Sequence, residues 1–141
     1  MPLEFSVISA LSDTQIDQLV TLYHNEFWCS NRKRSDVDRM LVNSDIIIGV
    51  EDRAHALIGF ARVLTDYVYK AMVLDVIVQP EWRGKKIGKL LMDTVVDHAE
   101  LRGVAHIDLN CLPEMYKFYA QWGFTAQVGE LGFMRRINSA P

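Results

Sequence analysis

Cysteine, proline and charge of a single sign are all scarce in this sequence. Its 141 residues include 2 cysteines and 4 prolines, and 15 basic against 18 acidic residues give a formal net charge of −3. The two cysteines, Cys29 and Cys111, are far apart and form no CxxC motif, so we expect two reduced, partly buried thiols. The near balance of charge excludes a generally basic surface, so we expect no nucleic-acid partner.

Long hydrophobic runs and metal-binding patterns are missing as well. No apolar run approaches the ~20 residues that span a bilayer, and no basic segment followed by an apolar run opens the chain, so we expect a cytoplasmic protein with no membrane partner. The histidines show neither HExxH nor zinc-finger spacing, which argues against a metal site. They are His24, His55, His98 and His106.

What remains is the composition of an ordinary globular protein, 50% hydrophobic and 23% charged. The length predicts a single domain over residues 1–141, and the hydrophobic periodicity predicts the order β-α-α-β-β-β-α-β-α-β-β. Predicted strands cover 5–8, 45–50, 57–64, 71–78, 106–110, 124–128 and 131–137. Predicted helices follow Ser12 and Ser35, run from Lys85 to a cap at Gly103, and run from Glu114 to a cap at Gly123. This is an α/β (α+β) fold with a central mixed β-sheet flanked by about four helices.

The most informative segment joins the apolar strand 71–78 to the following helix. Glycines and basic residues cluster over 83–89, where the first helical turn has unpaired N–H groups. This pattern favours a phosphate site, the alternative being a capped helix with solvated lysines. Gly84 and Gly88 are one residue too close for a Walker A loop, and G-x-G-x-x-G is absent, so nucleotide motifs are excluded.

Two motifs here resemble those of the GCN5-related N-acetyltransferase (GNAT) superfamily. The run 75–88, DVIVQPEWRGKKIG, is similar to motif A, R/Q-x-x-G-x-G/A, with Lys86 in place of the first motif glycine. The run 118–124, FYAQWGF, is similar to the family's Y-x-x-x-G-F element. Trp28 with Arg32, the run GFARV at 59–63, and Asp75 with Val76 also resemble small single-domain bacterial members.

The resemblance implies an acetyl-CoA site and no metal. The pantetheine arm would lie in a V-shaped gap between the strands ending at Val78 and Asn110, with the pyrophosphate on the amides of 83–89. An amide near Ile77 or Val78 would face the thioester oxygen. The donor-binding residues implied are Val76, Ile77, Val78, Arg83, Gly84, Lys85, Lys86, Ile87, Gly88, Lys89, Asn110 and Tyr116.

The resemblance also implies direct transfer of the acetyl group to an amine. Tyr119 stands where the family carries its catalytic tyrosine, which makes it the general acid on the CoA thiolate; Tyr116 is a weaker candidate. Asp75 is the ionisable residue of the central strand and is a base, an amine-orienting group or a structural acceptor, with a water chain as the other route for the proton. An acyl-enzyme on Cys111 is a minor alternative.

Acceptor recognition falls to Trp28, Arg32 and Tyr67, beside the polar stretch 29–34, whose alternative role is that of a solvated loop. The acceptor is a primary amine of a small molecule or peptide, and the protein a monomer or homodimer. The sequence leaves open which amine is used and whether the donor is strictly acetyl. A catalytically silent acyl-CoA-binding regulatory module is the alternative of another class.

Overall fold

The computed structural model describes residues 4–138, and the chain packs as two compact units, residues 1–110 and 111–141. The first unit contains, in order, β1 (Phe5–Ile8), α1 (Asp13–His24), α2 (Arg34–Val42), β2 (Ile46–Asp52), β3 (Leu57–Thr65), β4 (Lys70–Val78), a 3-10 turn (Pro80–Trp82), α3 (Ile87–Val96), a second 3-10 turn (Ala99–Leu101) and β5 (His106–Leu109). The strands form one sheet in the order β1-β2-β3-β4-β5, antiparallel except for the parallel pair β4–β5. The predicted mixed sheet with flanking helices is confirmed.

Helices α1 and α2 cover one face of the sheet. Ser12 caps α1 in a capping box with Gln15, each side chain bonding the other residue's backbone amide. The apolar stripe of α1 is buried against the strands, because residues three and four apart share one helical face. The buried cluster on this side comprises Leu19, Leu22, Tyr23, Cys29, Val37, Leu57, Phe60 and Ile77.

Helix α3 packs on the other face of the sheet. Neighbouring residues of a strand point to opposite faces, so adjacent residues of β3 contact different helices. Phe60 faces the α1 cluster, whereas Gly59 faces α3. A Cβ atom on Gly59 would lie 2.7 Å from Cγ2 of Ile87, the first residue of α3. The absence of a side chain at Gly59 therefore allows the start of α3 to approach the sheet.

The predicted helix from Lys85 to Gly103 is wrong at its C-terminal end. Helix α3 stops at Val96, and His98 adopts an extended backbone in which its ring Nδ1 accepts a hydrogen bond from the Glu100 amide. This local bond competes with continued helix. Gly103 follows the second 3-10 turn and does not have the positive φ of a left-handed cap. No helix within residues 4–138 is long and apolar enough to cross a membrane.

The second unit is short and contains little regular structure. A 3-10 turn (Pro113–Met115) leads into α4 (Tyr116–Ala120), and Gly123, at φ 86°, follows it in the predicted left-handed conformation. The predicted strands 124–128 and 131–137 do not form within residues 111–138. A strand needs a hydrogen-bonded neighbour, which alternation in a single sequence cannot provide, and Leu131, Phe133 and Ile137 are exposed here.

Candidate active site

Strand β4 contains a β-bulge at the centre of the sheet. Phe60 pairs with Ile77 and Arg62 pairs with Leu74, so two residues of β4, Asp75 and Val76, lie opposite a single residue of β3. Asp75 has φ 56°, a left-handed conformation that costs a non-glycine residue about 1–3 kcal/mol. Bulges bend a strand and redirect its side chains.

The bulge coincides with the divergence of β4 from β5. Their pairing ends at Val73 and Leu109, although β4 continues to Val78. Among the described residues, the edge of 74–78 that faces away from β3 has no strand partner. The unpaired edge lies where the resemblance predicts a V-shaped gap, and the exposed Asn110 directly follows β5.

The chain then presents free amides at the start of α3. Gly84 (φ 79°) and Lys86 (φ 67°) turn the backbone, and the Leu90 amide makes the first helical hydrogen bond, to the Lys86 carbonyl. The amides of 84–89 have no acceptor within residues 4–138, and no side chain caps α3. Such a group of N–H donors at a helix N-terminus suits a phosphate.

The basic side chains of this segment are mostly engaged with protein groups. Arg83 donates to Glu26 at 3.2 Å, Lys89 donates to Asp93 at 2.7 Å, and Lys85 lies 5.1 Å from the centre of the Trp82 ring. Lys86 is exposed. These contacts reduce the positive charge that the side chains could offer to an anion, which leaves the backbone amides of 84–89 as the main unpaired donors here.

Asp75 is the centre of an ion-pair network beneath the bulge. Its Oδ2 accepts hydrogen bonds from Arg62 Nε (2.7 Å), Arg32 Nη1 (2.8 Å) and the Tyr23 hydroxyl (2.9 Å). The carboxylate is almost completely buried, with 4% of its side chain exposed. Arg32 also stacks between the rings of Tyr23 (4.5 Å) and Trp28 (5.7 Å). The network joins α1, the loop before α2, β3 and β4.

The electrostatics of the network determine the charge of Asp75. Burial raises its pKa, but hydrogen bonds and charge from Arg32 and Arg62 outweigh burial and hold the pKa below its usual range. Asp75 is therefore ionised at neutral pH and accepts a proton poorly. Of the three roles that the sequence left open for Asp75, this environment favours a structural or orienting one.

A cavity of about 190 Å³ adjoins the network. Its lining residues are Arg32, Asp36, Val37, Met40 and Arg62. Trp28, which stacks on Arg32, is 45% exposed. Tyr67 lies apart from these residues, in the β3–β4 turn three positions before Lys70, the first residue of β4. Five steps along the strand separate Lys70 from Asp75, which is about 16 Å.

Sequence reasoning assigned no role to Tyr23 and Arg62, which complete the network. Tyr23 belongs to the apolar stripe of α1 and is buried in the cluster on that face of the sheet, so its sequence pattern indicates only a core residue. Arg62 stands within the apolar strand LIGFARVL, and a cation in a buried strand requires a partner. That isolated charge was the available signal, although the sequence could not identify its partner.

Tyr119 is placed by α4 in the second unit. It is 8% exposed, its ring packs edge-on against Phe118 and Phe124, and its hydroxyl has no hydrogen-bond partner within residues 4–138. Burial, with a smaller contribution from Cys111, raises the pKa of Tyr119 to about 12. Tyr119 therefore keeps its proton at neutral pH. Tyr116, one turn earlier, is 48% exposed.

The thiols show no sign of activation. Burial raises the pKa of Cys111 above its usual range, so its nucleophilic thiolate is scarce at neutral pH. Burial likewise raises the pKa of Cys29 to about 11. Within residues 4–138, no three histidine, cysteine, aspartate or glutamate side chains are grouped to hold a metal ion.

Comparisons with known proteins identify the family that shares this fold. The model of the acetyltransferase (GNAT) family matches residues 14–124. A putative GNAT-family acetyltransferase from Xanthomonas campestris pv. campestris superposes with a TM-score of 0.84 at 30% identity, over 97% of this chain and 94% of that one.

Curated relatives match at similar identity. An uncharacterized N-acetyltransferase ycf52-like from Prochlorococcus marinus is 31% identical over 126 residues, 87% of this chain and 68% of that protein. The uncharacterized N-acetyltransferase ycf52 of Pyropia yezoensis is 29% identical over 113 residues, 74% of this chain, and the match spans 65% of that protein's length. The family match over residues 14–124 includes both predicted motifs, and the chain therefore belongs to the GNAT acetyltransferase family.

Proposed function

We propose that this single domain transfers the acetyl group of acetyl-CoA directly to a primary amine of a small molecule or peptide. The observation that carries the proposal is the unpaired edge of β4 over 74–78, which leads into the free amides of 84–89. The edge offers backbone hydrogen bonds to the pantetheine amides, and the amides suit the pyrophosphate. Acetyl-CoA supplies the activated acyl group.

We propose Tyr119 as the general acid for the departing CoA thiolate. A tyrosine whose pKa is raised to about 12 is protonated across the physiological range, as an acid must be before transfer. Its lack of a hydrogen-bond partner within residues 4–138 leaves the hydroxyl available to a ligand. Asp75, held ionised by two arginines, acts in this proposal as a positioning group, and the ammonium loses its proton to water.

The test is release of CoA thiol from acetyl-CoA in the presence of a panel of amines, with product masses recorded. We expect Tyr119→Phe to lower kcat about 100-fold with unchanged CoA affinity, since one general acid contributes about 10²–10⁴-fold. Tyr69→Phe, at a 71% exposed tyrosine outside the site, is the matched control.

Two results would count against the proposal. CoA binding with no thiol release for any amine would favour the silent acyl-CoA-binding module. Wild-type kcat in Tyr119→Phe would remove Tyr119 from the reaction while leaving the transfer itself intact.

A further inference from the structure

The cavity beside the Asp75 network has a wall made of two guanidinium groups. Arg32 and Arg62 both line it, with side chains 30% and 12% exposed. Asp75 accepts one hydrogen bond from each of these two guanidinium groups, and each guanidinium group has five N–H donors. Asp75 and the lining residue Asp36 together balance the two positive charges, so the attraction for an anion comes from the guanidinium N–H groups that Asp75 does not occupy.

The wall is held in place before any ligand arrives. Arg32 is stacked on Tyr23 and Trp28 while its Nη1 is bonded to Asp75, and Arg62 is fixed through Nε. Pre-organised donors bind more strongly, because little side-chain entropy remains to be lost. The strained backbone of Asp75, at φ 56°, directs the carboxylate that orients both arginines.

The rest of the cavity sets the size and polarity of its occupant. Val37 and Met40 contribute apolar surface, and Asp36, in the exposed first turn of α2, is the one carboxylate among the lining residues. A volume of about 190 Å³ is below the ~300–1,000 Å³ of a complete ligand pocket, so the cavity fits one end of a small molecule.

We propose that this cavity is an oxyanion subsite for the acceptor, so that the preferred substrates are amines that carry a carboxylate or phosphate group. Guanidinium groups bind both oxyanions through paired, charge-assisted hydrogen bonds. The proposal rests on the acetyl transfer proposed above and narrows its acceptor class. Asp36, which also lines the cavity, opposes the anion by its like charge.

The test compares amines that differ only in the anion. Amino acids are paired with their carboxamides, and O-phosphoethanolamine is paired with ethanolamine, which distinguishes a carboxylate from a phosphate site. We expect kcat/KM to be at least tenfold higher for the charged member of one pair. Arg62→Gln should remove the preference by raising KM for the charged member alone, whereas Arg62→Lys should keep part of it.

Two further variants separate the site from general charge effects. Asp36→Asn should lower KM for the charged amine two- to threefold, the opposite direction from Arg62→Gln. Arg39 is an exposed residue of α2, the helix that also contains Asp36. Arg39→Gln is therefore the control and should leave the preference for the charged amine unchanged. Equal kcat/KM for charged and neutral members in every pair would overturn the subsite and leave the transfer proposal standing.

Binding is measured separately by calorimetry on the complex with CoA, in which no acetyl group can be transferred. We expect the charged amines to bind at least tenfold more tightly than their neutral partners, with the difference lost in Arg62→Gln. If this holds and no amine is acetylated, the transfer proposal fails and the subsite survives. Equal binding of charged and neutral partners would overturn the subsite without reference to turnover.

Discussion

Lys86 has a left-handed backbone, with φ 67° and ψ 19°, at the residue that caps α3. A glycine adopts this conformation freely, whereas an L side chain there costs about 1–2 kcal/mol. Lys86 thus adopts a conformation that a glycine at this motif position would adopt without strain, and its exposed side chain adds a charge beside the free amides. Compared with glycine at this position, lysine lowers the stability of the folded protein and adds a positive charge.

We predict different effects on stability for Lys86→Gly and Lys86→Ala. Both remove the charge and should weaken CoA binding about two- to threefold, as for a screened surface charge. Only glycine relieves the strain, so we expect Lys86→Gly to raise Tm by about 2 °C and Lys86→Ala to leave it unchanged or lower. Thermal unfolding and calorimetry with CoA measure both effects. A lower Tm for Lys86→Gly would show that no strain is stored at this residue.

For individual residues, the sequence predicted candidate site residues better than it predicted which side chains contact them. Motif spacing predicted a phosphate-binding segment at 83–89, because helix N-termini and glycines are local features of a sequence. The Asp75 network is not local: Tyr23 lies 52 residues away from Asp75 in the sequence and Arg32 lies 43 away. A single sequence contains no information on such pairing, so three roles for Asp75 stayed open.

At the scale of elements, the position of α3 depends on Gly59 of β3. A Cβ at Gly59 would lie 2.7 Å from Ile87 Cγ2 and 3.4 Å from Leu91 Cδ1. Ile87 and Leu91 are both buried, so they have little room to move. The first turn of α3, where the free amides are, is therefore held close to the sheet.

We predict that Gly59→Ala destabilises the protein by about 1–3 kcal/mol through overpacking and weakens CoA binding by displacing the first turn of α3. Gly103→Ala is the matched control, because a Cβ there meets nothing within 4 Å. Denaturant unfolding and CoA titration provide the two measurements. In the double variant Gly59→Ala/Ile87→Ala, the loss in the free energy of unfolding should be less than the sum of the losses in the two single variants. Additive costs would mean that the alanine at 59 does not press on Ile87.

Elements were predictable where periodicity and local end signals agreed. Strands β1 to β5 and helices α1 and α2 match their predicted spans within a few residues, and Ser12 caps α1 as expected. Helix α3 was predicted too long because its apolar stripe continues past Val96, whereas the stop depends on a side-chain hydrogen bond of His98. Strands 124–128 and 131–137 were predicted from alternation alone, without a partner strand.

For the first unit as a whole, the Asp75 carboxylate connects segments that are distant in sequence. A carboxyl group whose pKa is lowered by folding stabilises the folded state in its ionised form. That stabilisation is complete above the ordinary aspartate pKa of about 3.9 and is lost as the pH falls through the lower pKa of the folded state. Protonation would then leave two partly buried guanidinium groups without their shared counter-ion.

We therefore predict that the free energy of unfolding falls steeply below about pH 4, and that Asp75→Asn removes this part of the acid dependence. At pH 7, Asp75→Asn should cost about 3 kcal/mol, because it leaves two partly buried cations without the buried carboxylate that they share. Asp108→Asn, which breaks the exposed Lys70–Asp108 pair, should cost less than about 1 kcal/mol and keep the acid dependence. Denaturant unfolding from pH 2.5 to 8 compares the three proteins. If Asp75→Asn retained the wild-type slope below pH 4, the acid sensitivity would belong to other carboxylates, and the arginine pair would not depend on the Asp75 charge for its position.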